Sequence, residues 1–286
     1  MWKAALAALA ALFAASQAQA QPPVWVVRDH DSELVLFGSV HVLPKGLAWR
    51  PAVLTRALQS ADDLWFELPI DPATEAQAAK AASAKGVLPP GQSLLALLPE
   101  GDAERLLKVA KTYGVDPAVL DRLQPWLAEV ALTAGAYQKA GAGGDDGVEK
   151  AVAADAPATA ARRAFETPEE QIAILADTPR AEQIASLSQT LRDMENSPDE
   201  FADLVRVWMK GDLAALDREA LQPMRDASPG LFRRLVTDRN VRWTRELDAR
   251  LKGKGRTVVV VGVGHLIGPD GVPQRLRALG YKVEGP

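Results

Sequence analysis

The sequence of 286 residues contains no cysteine. That absence excludes thiol nucleophiles, zinc–thiolate sites, iron–sulfur clusters and disulfide scaffolds. Histidine is scarce as well, because the chain has only His30, His41 and His265. A metal site would have to use these histidines together with Asp or Glu side chains, so the sequence around each histidine is informative.

An excess of positive charge is also lacking. The chain has 33 Lys and Arg residues against 37 Asp and Glu residues, which gives a formal net charge of −4. Nucleic-acid binding usually requires a basic patch, so we expect no nucleic-acid partner. With 48% hydrophobic and 24% charged residues, the composition is that of an ordinary globular protein and not of a disordered chain.

No apolar run is long enough to cross a bilayer comfortably. Residues 1–20 begin with a positive charge at Lys3, continue with an apolar stretch over residues 4–15, and end in the small-residue pattern Ala-Gln-Ala at residues 18–20. This pattern predicts a cleavable signal peptide with cleavage near Ala20. We therefore expect a periplasmic or secreted protein with no stable membrane anchor after removal of the leader.

Three apolar segments predict strands of a buried, mostly parallel sheet, at residues 34–37, 63–68 and 257–261. The first and the last run directly into the same short pattern, G-x-x-H, and each is followed by a predicted helix and another strand. Residues 34–68 and 257–284 thus resemble two βαβ units. If both units share one sheet, both histidines lie at the edge where ligands bind in open α/β folds.

The middle of the chain, roughly residues 72–250, is predicted to be mainly helical. Capping signals recur at Asp116-Pro117, at residues 167–170 and at residues 197–200. Residues 141–147 are predicted as a flexible glycine-rich loop, and one short strand is expected to end at Phe165-Glu166. The predicted fold is a single α/β domain over residues 21–286, with a mostly parallel central sheet built from the N- and C-terminal βαβ units and capped by a helical insertion.

The two G-x-x-H patterns, Gly38 to His41 and Gly262 to His265, favour a shared site. One such histidine alone would be better explained as a core or turn residue bound to a backbone carbonyl. Glu67 ends an apolar strand, where a carboxylate needs a partner or a metal ion. Two histidines and one carboxylate form a ligand set of hydrolytic zinc sites and of other divalent metals. The alternative for Glu67 is a salt bridge to an arginine.

Two further candidates have less support from the residues alone. Glu166 offers a second acid at the same edge, but from the residues alone favourable electrostatics at a helix N-terminus explain it better. Arg239-Asn240 offers a cation and an amide donor for a developing oxyanion, but its spacing favours a solvated helix face. His30, between two aspartates, is predicted to be a solvated turn residue. The chain has no G-x-S-x-G or H-E-x-x-H motif.

These elements together resemble the TraB/GumN proteins, which are related to the TIKI metalloproteases and more remotely to the erythromycin esterases and the haem-binding ChaN lipoproteins. The resemblance rests on the following segments: LFGSVHVLP at residues 36–44, WFELP at 65–69, GVE at 147–149, FETPEEQ at 165–171, WMKGD at 208–212, DRNVRW at 238–243, and VVVGVGHLIGPDGVPQRLRALGYKV at 259–283. The paired G-x-x-H elements with the intervening Glu and Arg-Asn motifs are specific, whereas the helical middle is not.

The resemblance implies an exported metal-dependent hydrolase, with a peptide or small-molecule substrate that it does not identify. Its site would be lined by six residues: His41, Glu67, Glu166, Arg239, Asn240 and His265. A divalent ion (Mn, Co or Zn) would be held by His41, Glu67 and His265. Glu166 would be the general base, or would exchange roles with Glu67, and Arg239 and Asn240 would polarise the scissile carbonyl.

Two alternatives stay open. The first is a metal-free hydrolase in which one histidine acts as base and a carboxylate orients it, as in ester hydrolysis. The second is a binding protein that captures haem or a small ligand between the two histidines. The absence of a cysteine to lipidate counts against a role like that of ChaN. All three hypotheses require that His41 and His265 face a common hollow.

Overall fold

A computed structural model describes residues 21–143, 147–197 and 199–286. The predicted signal peptide lies outside the described residues. So do residues 144–146 of the predicted glycine-rich loop, and Pro198.

The described chain contains a central sheet of six strands and a separate pair of short strands. The strands are β1 (Val24–Arg28), β2 (Ser32–Ser39), β3 (Leu43–Pro44), β4 (Asp63–Phe66), β5 (Ala142–Gly143), β6 (Ala161–Ala164), β7 (Gly255–Gly262) and β8 (Lys282–Glu284). The order in the central sheet is β6-β4-β7-β2-β1-β8, and β3 pairs with β5. Part of the predicted glycine-rich loop is therefore a short strand.

Four neighbouring strands, β6, β4, β7 and β2, are mutually parallel, whereas β1 runs antiparallel to both β2 and β8. The predicted α/β fold with a mostly parallel sheet is confirmed. The β-branched run Val258–Val261 is buried throughout, as expected of a parallel strand covered on both faces. The short strand expected before Glu166 is β6, at one edge of the sheet.

The helices are α1 (Ala52–Gln59), α2 (Pro72–Gly86), α3 (Leu94–Leu97), α4 (Asp102–Tyr113), α5 (Pro117–Leu120), α6 (Pro125–Lys139), α7 (Val148–Asp155), α8 (Pro168–Ala176), α9 (Arg180–Asn196), α10 (Glu200–Lys210), α11 (Leu213–Leu216), α12 (Gln222–Ala227), α13 (Pro229–Phe232), α14 (Asp238–Leu251) and α15 (Val272–Ala278). Two π-helical turns, Asp217–Leu221 and Arg233–Thr237, and one 3-10 turn, Val263–His265, complete them. The middle of the chain is thus mainly helical, as predicted.

The predicted capping signals have different outcomes. Thr167 and Glu170 form a complete capping box at the start of α8, and Asp116 caps α5 by accepting a hydrogen bond from Ala118 N. The box predicted at residues 197–200 is wrong in position, because α10 begins at Glu200 and its cap residue, Asp199, makes no side-chain cap hydrogen bond.

The core has two parts. The larger one surrounds the sheet and includes Phe37, Trp208 and Trp243, while a second cluster around Leu106 and Leu187 lies among the helices of the middle. Trp208 Nε1 donates a hydrogen bond to the carbonyl oxygen of Gly38 at 2.8 Å. This bond attaches the helical region to the carboxyl end of β2, where the first G-x-x-H pattern begins. Within the described ranges, no helix combines the length and hydrophobicity needed to cross a membrane.

Candidate functional site

The carboxyl ends of the parallel strands bring the predicted residues to one edge of the sheet. Ser39 of β2 pairs with Gly262 of β7, so the two G-x-x-H patterns leave adjacent strands at the same level. Glu67 follows β4 directly, and Glu166 follows β6 by two residues. Remote ends of the chain therefore meet here because the sheet is parallel.

The glycines of the two patterns are required for close approach and not for unusual backbone angles. Neither Gly38 nor Gly262 has a positive φ, and φ of Gly262 is −50°. A Cβ atom on Gly38 would lie 2.8 Å from Val263 Cγ2. A Cβ atom on Gly262 would lie 3.3 Å from both Glu67 Oε1 and His41 Nε2. These two polar atoms thus border the same small space above Gly262.

His41 lies at the entrance of this space, with its side chain 63% exposed. Its Nδ1 lies 2.8 Å from Oε1 of Glu149, in the first turn of α7. The Ser39 hydroxyl donates to the same carboxylate oxygen. Because Nδ1 faces the carboxylate, Nε2 is the ring nitrogen directed at the space above Gly262.

The electrostatics of this pair favour a charged histidine. The negative charge of Glu149, together with its hydrogen bond to the ring, raises the pKa of His41 to about 9. Burial alone would raise the pKa of Glu149, but the charge of His41 and the hydrogen bonds from His41 and Ser39 lower it overall. The exposure of the ring lets solvent screen the pair, so its contribution to stability is small.

Arg239 is the centre of the buried half of the site, with a side chain only 3% exposed. Its Nε donates to both carboxylate oxygens of Glu166, at 2.9 and 3.1 Å. Its Nη1 donates to the carbonyl oxygen of Leu235 at 3.1 Å and lies 2.9 Å from His265 Nε2. Its Nη2 donates to Glu67 Oε2 at 2.6 Å and to Glu166 Oε2 at 2.8 Å. All five guanidinium N–H groups therefore have partners.

The solvated helix face predicted for Arg239-Asn240 is wrong, since both residues are buried. Because the guanidinium has no unused donor, Arg239 holds the carboxylates in place and offers nothing to a substrate carbonyl. The alternative interpretation of Glu67, a salt bridge to an arginine, is confirmed by its contact with Arg239.

The two glutamates differ in their surroundings. The Glu166 side chain is completely buried and also accepts hydrogen bonds from Arg242 and from Trp243 Nε1. Glu67 also accepts one from the backbone N–H of Gly262 at 2.7 Å. Burial alone would raise the pKa of Glu67, but the charge of Arg239 and the hydrogen bond from the Gly262 N–H hold it well below its ordinary range. Glu166 has no route to a substrate, so Glu67 is the carboxylate that reaches the reactive end of the site.

His265 is held as a neutral ring. Asn240 Nδ2 donates to the carbonyl oxygen of Asp270 at 2.9 Å, which leaves Asn240 Oδ1 as the acceptor 2.7 Å from His265 Nδ1. The ring nitrogen Nδ1 therefore carries the proton, and Nε2 accepts the hydrogen bond from Arg239. Burial lowers the pKa of His265 to about 3, in agreement with this neutral tautomer.

A cavity of about 290 Å³ opens beside His41. It is lined by His41, Phe66, Glu67, Leu68, Pro69, Ile70, Asp71, Thr74, Glu75, Ala78, Gly147, Glu149, Lys150 and Gln171. The expectation that both histidines face a common hollow is met by His41 alone, because His265 is buried behind Glu67, 3.9 Å from its Oε1. Glu166, Arg239 and Asn240 lie in the same buried layer as His265.

The predicted metal ligands do not fit as a set of three. Both nitrogens of His265 already have partners, and a permanent cation, Arg239, occupies the lone pair that a metal ion would use. Among the described residues, no group of three or more His, Cys, Asp or Glu side chains is arranged to hold an ion. The same hydrogen bonds argue against haem capture between His41 and His265. Of the predicted ligands, His41 and Glu67 line the cavity.

Glu149 is a residue of the candidate site that is not among the predicted ones. Its only signal in the sequence is the segment Gly147-Val148-Glu149, an acidic residue in the first turn of a helix after a glycine-rich stretch. His30, by contrast, is exposed in a bend, as predicted.

Comparisons with known proteins identify the family of this sequence. The sequence model of the TraB/PrgY/gumN family matches residues 23–285. A protein of Escherichia coli (strain K12) named "Uncharacterized protein YbaP" is 26% identical over 262 residues, which cover 90% of this chain and 92% of the relative. A protein of Treponema pallidum (strain Nichols), named "Uncharacterized protein", is 29% identical over 191 residues, which cover 61% and 55%. No solved structure matches significantly. The chain belongs to the TraB/PrgY/gumN family.

Proposed function

We propose that the protein is a hydrolase of ester or peptide bonds in which His41 is the general base. One observation carries this proposal: the exposed His41 ring is bound through Nδ1 to the carboxylate of Glu149, while Nε2 faces the cavity beside Glu67. A histidine oriented by a carboxylate is a common means of activating water. This corresponds to the metal-free alternative considered from the sequence.

In this proposal, neutral His41 takes a proton from a water molecule that lies between its Nε2 and Glu67 Oε1. The activated water attacks the scissile carbonyl, and Glu149 stabilises the imidazolium that forms. Gln171 Nε2, 3.4 Å from Glu67 Oε2 on the cavity wall, supplies an amide donor for the developing oxyanion. The tetrahedral intermediate then collapses, the C–O or C–N bond to the leaving group breaks, and His41 returns the proton to that oxygen or nitrogen.

The buried residues have a positioning role. Arg239, Glu166, Asn240 and His265 form a network of direct hydrogen bonds, and Arg239 binds Glu67 Oε2. That network fixes Glu67 beside His41 and keeps it ionised. Fixed groups of this kind reduce the reorganisation that a reaction would otherwise need.

A divalent metal ion stays a prediction from the sequence, since His41 and Glu67 are the members of its ligand set at the cavity. Export by a signal peptide is likewise part of the proposal, and it would give the enzyme extracytoplasmic substrates. Hydrolysis assays on the protein purified without a histidine tag distinguish the metal-free mechanism from the metal-dependent one. Hydrolysis that persists after complete chelation supports His41 as a metal-free base, whereas loss on chelation and recovery with Mn, Co or Zn supports the metal-dependent form.

The primary test is a panel of chromogenic esters and fluorogenic peptides. We expect His41→Ala to reduce kcat/KM by roughly 10²–10⁴-fold, the usual contribution of a general base. His30→Ala, a histidine in an exposed bend, is the matched control and should retain activity. Equal activity of both variants, or no hydrolysis of any compound by the wild type, would contradict the proposal.

A further inference from the structure

The cavity beside His41 has an apolar side that the proposed chemistry does not use. Leu68, Pro69 and Ile70 follow Glu67 directly and line it, and Ala78 of α2 lines it as well. Ile70 is 37% exposed, one of the large hydrophobic side chains accessible to solvent. A single exposed isoleucine is ordinary. Here, however, it extends an apolar wall that begins at the reactive carboxylate.

Each charged side chain of the cavity has a partner within the protein. The Asp71 carboxylate accepts hydrogen bonds from Thr74 N and Oγ1, both at 2.9 Å, and so serves as the cap of α2. Glu75 Oε1 lies 2.9 Å from Lys150 Nζ. Glu67 and Glu149 are bound by Arg239 and His41, as described above. The lining therefore presents no unpaired charge to a ligand, and its unused surface is apolar.

The size of the cavity limits what this surface can take. A volume of about 290 Å³ lies at the lower end of the ~300–1,000 Å³ found for ligand pockets. It holds one short group of a substrate, of roughly four to eight carbon atoms, and not a long chain.

We infer that the substrate carries a short, neutral, apolar acyl group or aliphatic side chain at the scissile carbonyl, bound against Leu68, Ile70 and Ala78. The position of the scissile bond at His41 rests on the proposed function. Ala78 is the specificity-determining position, because a larger side chain there would fill the space that the apolar group needs.

The test compares p-nitrophenyl esters from acetate to octanoate. We expect kcat/KM to rise about fourfold per methylene up to hexanoate, the ratio that corresponds to ~0.8 kcal/mol per buried methylene. Ala78→Phe should lower the ratio of hexanoate to acetate kcat/KM at least tenfold. Ala79→Phe is the matched control, since Ala79 is exposed one residue further along α2 and should leave that ratio at the wild-type value.

A binding measurement separates this inference from the proposed function. Hexanamide and acetamide are titrated into the wild type and both variants, with the His41 ring signal followed by NMR. Tighter binding of hexanamide that is lost in Ala78→Phe supports the apolar subsite, even if no ester or peptide is hydrolysed and the proposed function fails. Hydrolysis without dependence on chain length, or the same ratio in Ala78→Phe and Ala79→Phe, would overturn the subsite and leave the hydrolase standing.

Discussion

His41 Nδ1 lies 2.8 Å from Glu149 Oε1, and this contact joins two residues 108 positions apart in the chain. The ring is mostly exposed, whereas the carboxylate is 14% exposed and lies at the N-terminal turn of α7. The helix dipole and the Ser39 hydroxyl favour the ionised carboxylate. The charge state of the proposed base therefore depends on a residue of a different structural element.

This dependence predicts an alkaline rise in activity. A general base must be neutral, so the rate should rise with pH through the pKa of His41, which Glu149 raises from 6.5 to about 9. Glu149→Gln removes the negative charge and so lowers the pKa of His41. The rise of kcat/KM with pH should then occur at lower pH. The maximal rate should fall as well, because the imidazolium loses its partner. Measurements of kcat/KM between pH 5 and pH 10 (chosen to bracket both values), with NMR titration of His41, check both effects.

The control for this prediction is Glu169→Gln, which neutralises an exposed carboxylate of α8. It should leave the pH at which kcat/KM rises unchanged. An unchanged pH dependence of kcat/KM in Glu149→Gln would show that a group other than His41 controls the rate.

His265 predicts a loss of stability in mild acid. Its folded pKa is lowered from 6.5 to about 3, so the unfolded chain takes up a proton that the folded chain rejects. The stabilisation is complete above pH 6.5 and decreases as the pH falls toward 3. Glu67, whose pKa is also lowered, loses its own contribution only below its ordinary value of 4.5. Between pH 6.5 and pH 4.5, the ordinary pKa values of the two groups, His265 therefore makes the larger contribution to the pH dependence. The free energy of unfolding should fall by about 2 kcal/mol over this range.

Urea unfolding at several pH values between 7 and 4.5 measures this slope. His265→Gln has no titrating ring and should show a flatter pH dependence, although it is less stable at neutral pH. His30→Gln should keep the wild-type slope, because His30 is exposed. An unchanged slope in His265→Gln would mean that the ring titrates normally in the folded protein.

The sheet is predictable from the sequence because its signals are local. The β-branched run before Gly262 and the apolar run before Glu67 correspond to β7 and β4, and the repeated G-x-x-H pattern correctly indicates one common edge. β1 is not among the predicted strands. It completes the sheet by pairing with β2 and β8. No short sequence pattern predicts this pairing.

The site is less predictable because its chemistry depends on distant partners. Arg239 has the spacing of a solvated helix residue, and its burial is tolerable only because Glu67 and Glu166 arrive from two strands. The contacts of Glu149 with Ser39 and His41 likewise form only when the start of α7 lies beside the end of β2. The sequence predicts that His41, Glu67 and His265 meet at one edge. It does not predict the part of Glu149, or that His265 lies outside the cavity.

Arg239 and Arg242 both bind Glu166, but we expect their replacement to have very different effects on the free energy of unfolding. Arg239→Lys replaces five fixed donors by three on a flexible stem, so the lysine cannot bind Glu67 and Glu166 together as the guanidinium does. We expect a loss of about 3–5 kcal/mol in the free energy of unfolding, as for other broken buried ion pairs. Arg242→Lys should cost less than ~1 kcal/mol, since the Arg242 side chain is 49% exposed. Urea unfolding at neutral pH measures both, and similar losses would contradict the central position of Arg239.

We expect the substitution Gly262→Ala to reduce activity without unfolding the protein. Its φ of −50° and ψ of 134° are available to alanine, so Gly262→Ala introduces no backbone strain. The added Cβ atom would lie 3.3 Å from both His41 Nε2 and Glu67 Oε1, where the proposed water is activated. We expect kcat to fall at least roughly tenfold through the lost alignment of base and water, with thermal stability nearly unchanged.

The matched substitution is Gly38→Ala in the other G-x-x-H pattern. There the Cβ atom would lie 2.8 Å from Val263 Cγ2 and 3.1 Å from Val263 Cα, so packing and not chemistry is disturbed. Gly38→Ala should therefore lower the melting temperature more than Gly262→Ala does. Full activity of Gly262→Ala would show that the reacting water lies elsewhere, since a methyl group and a water molecule cannot share the space between His41 and Glu67.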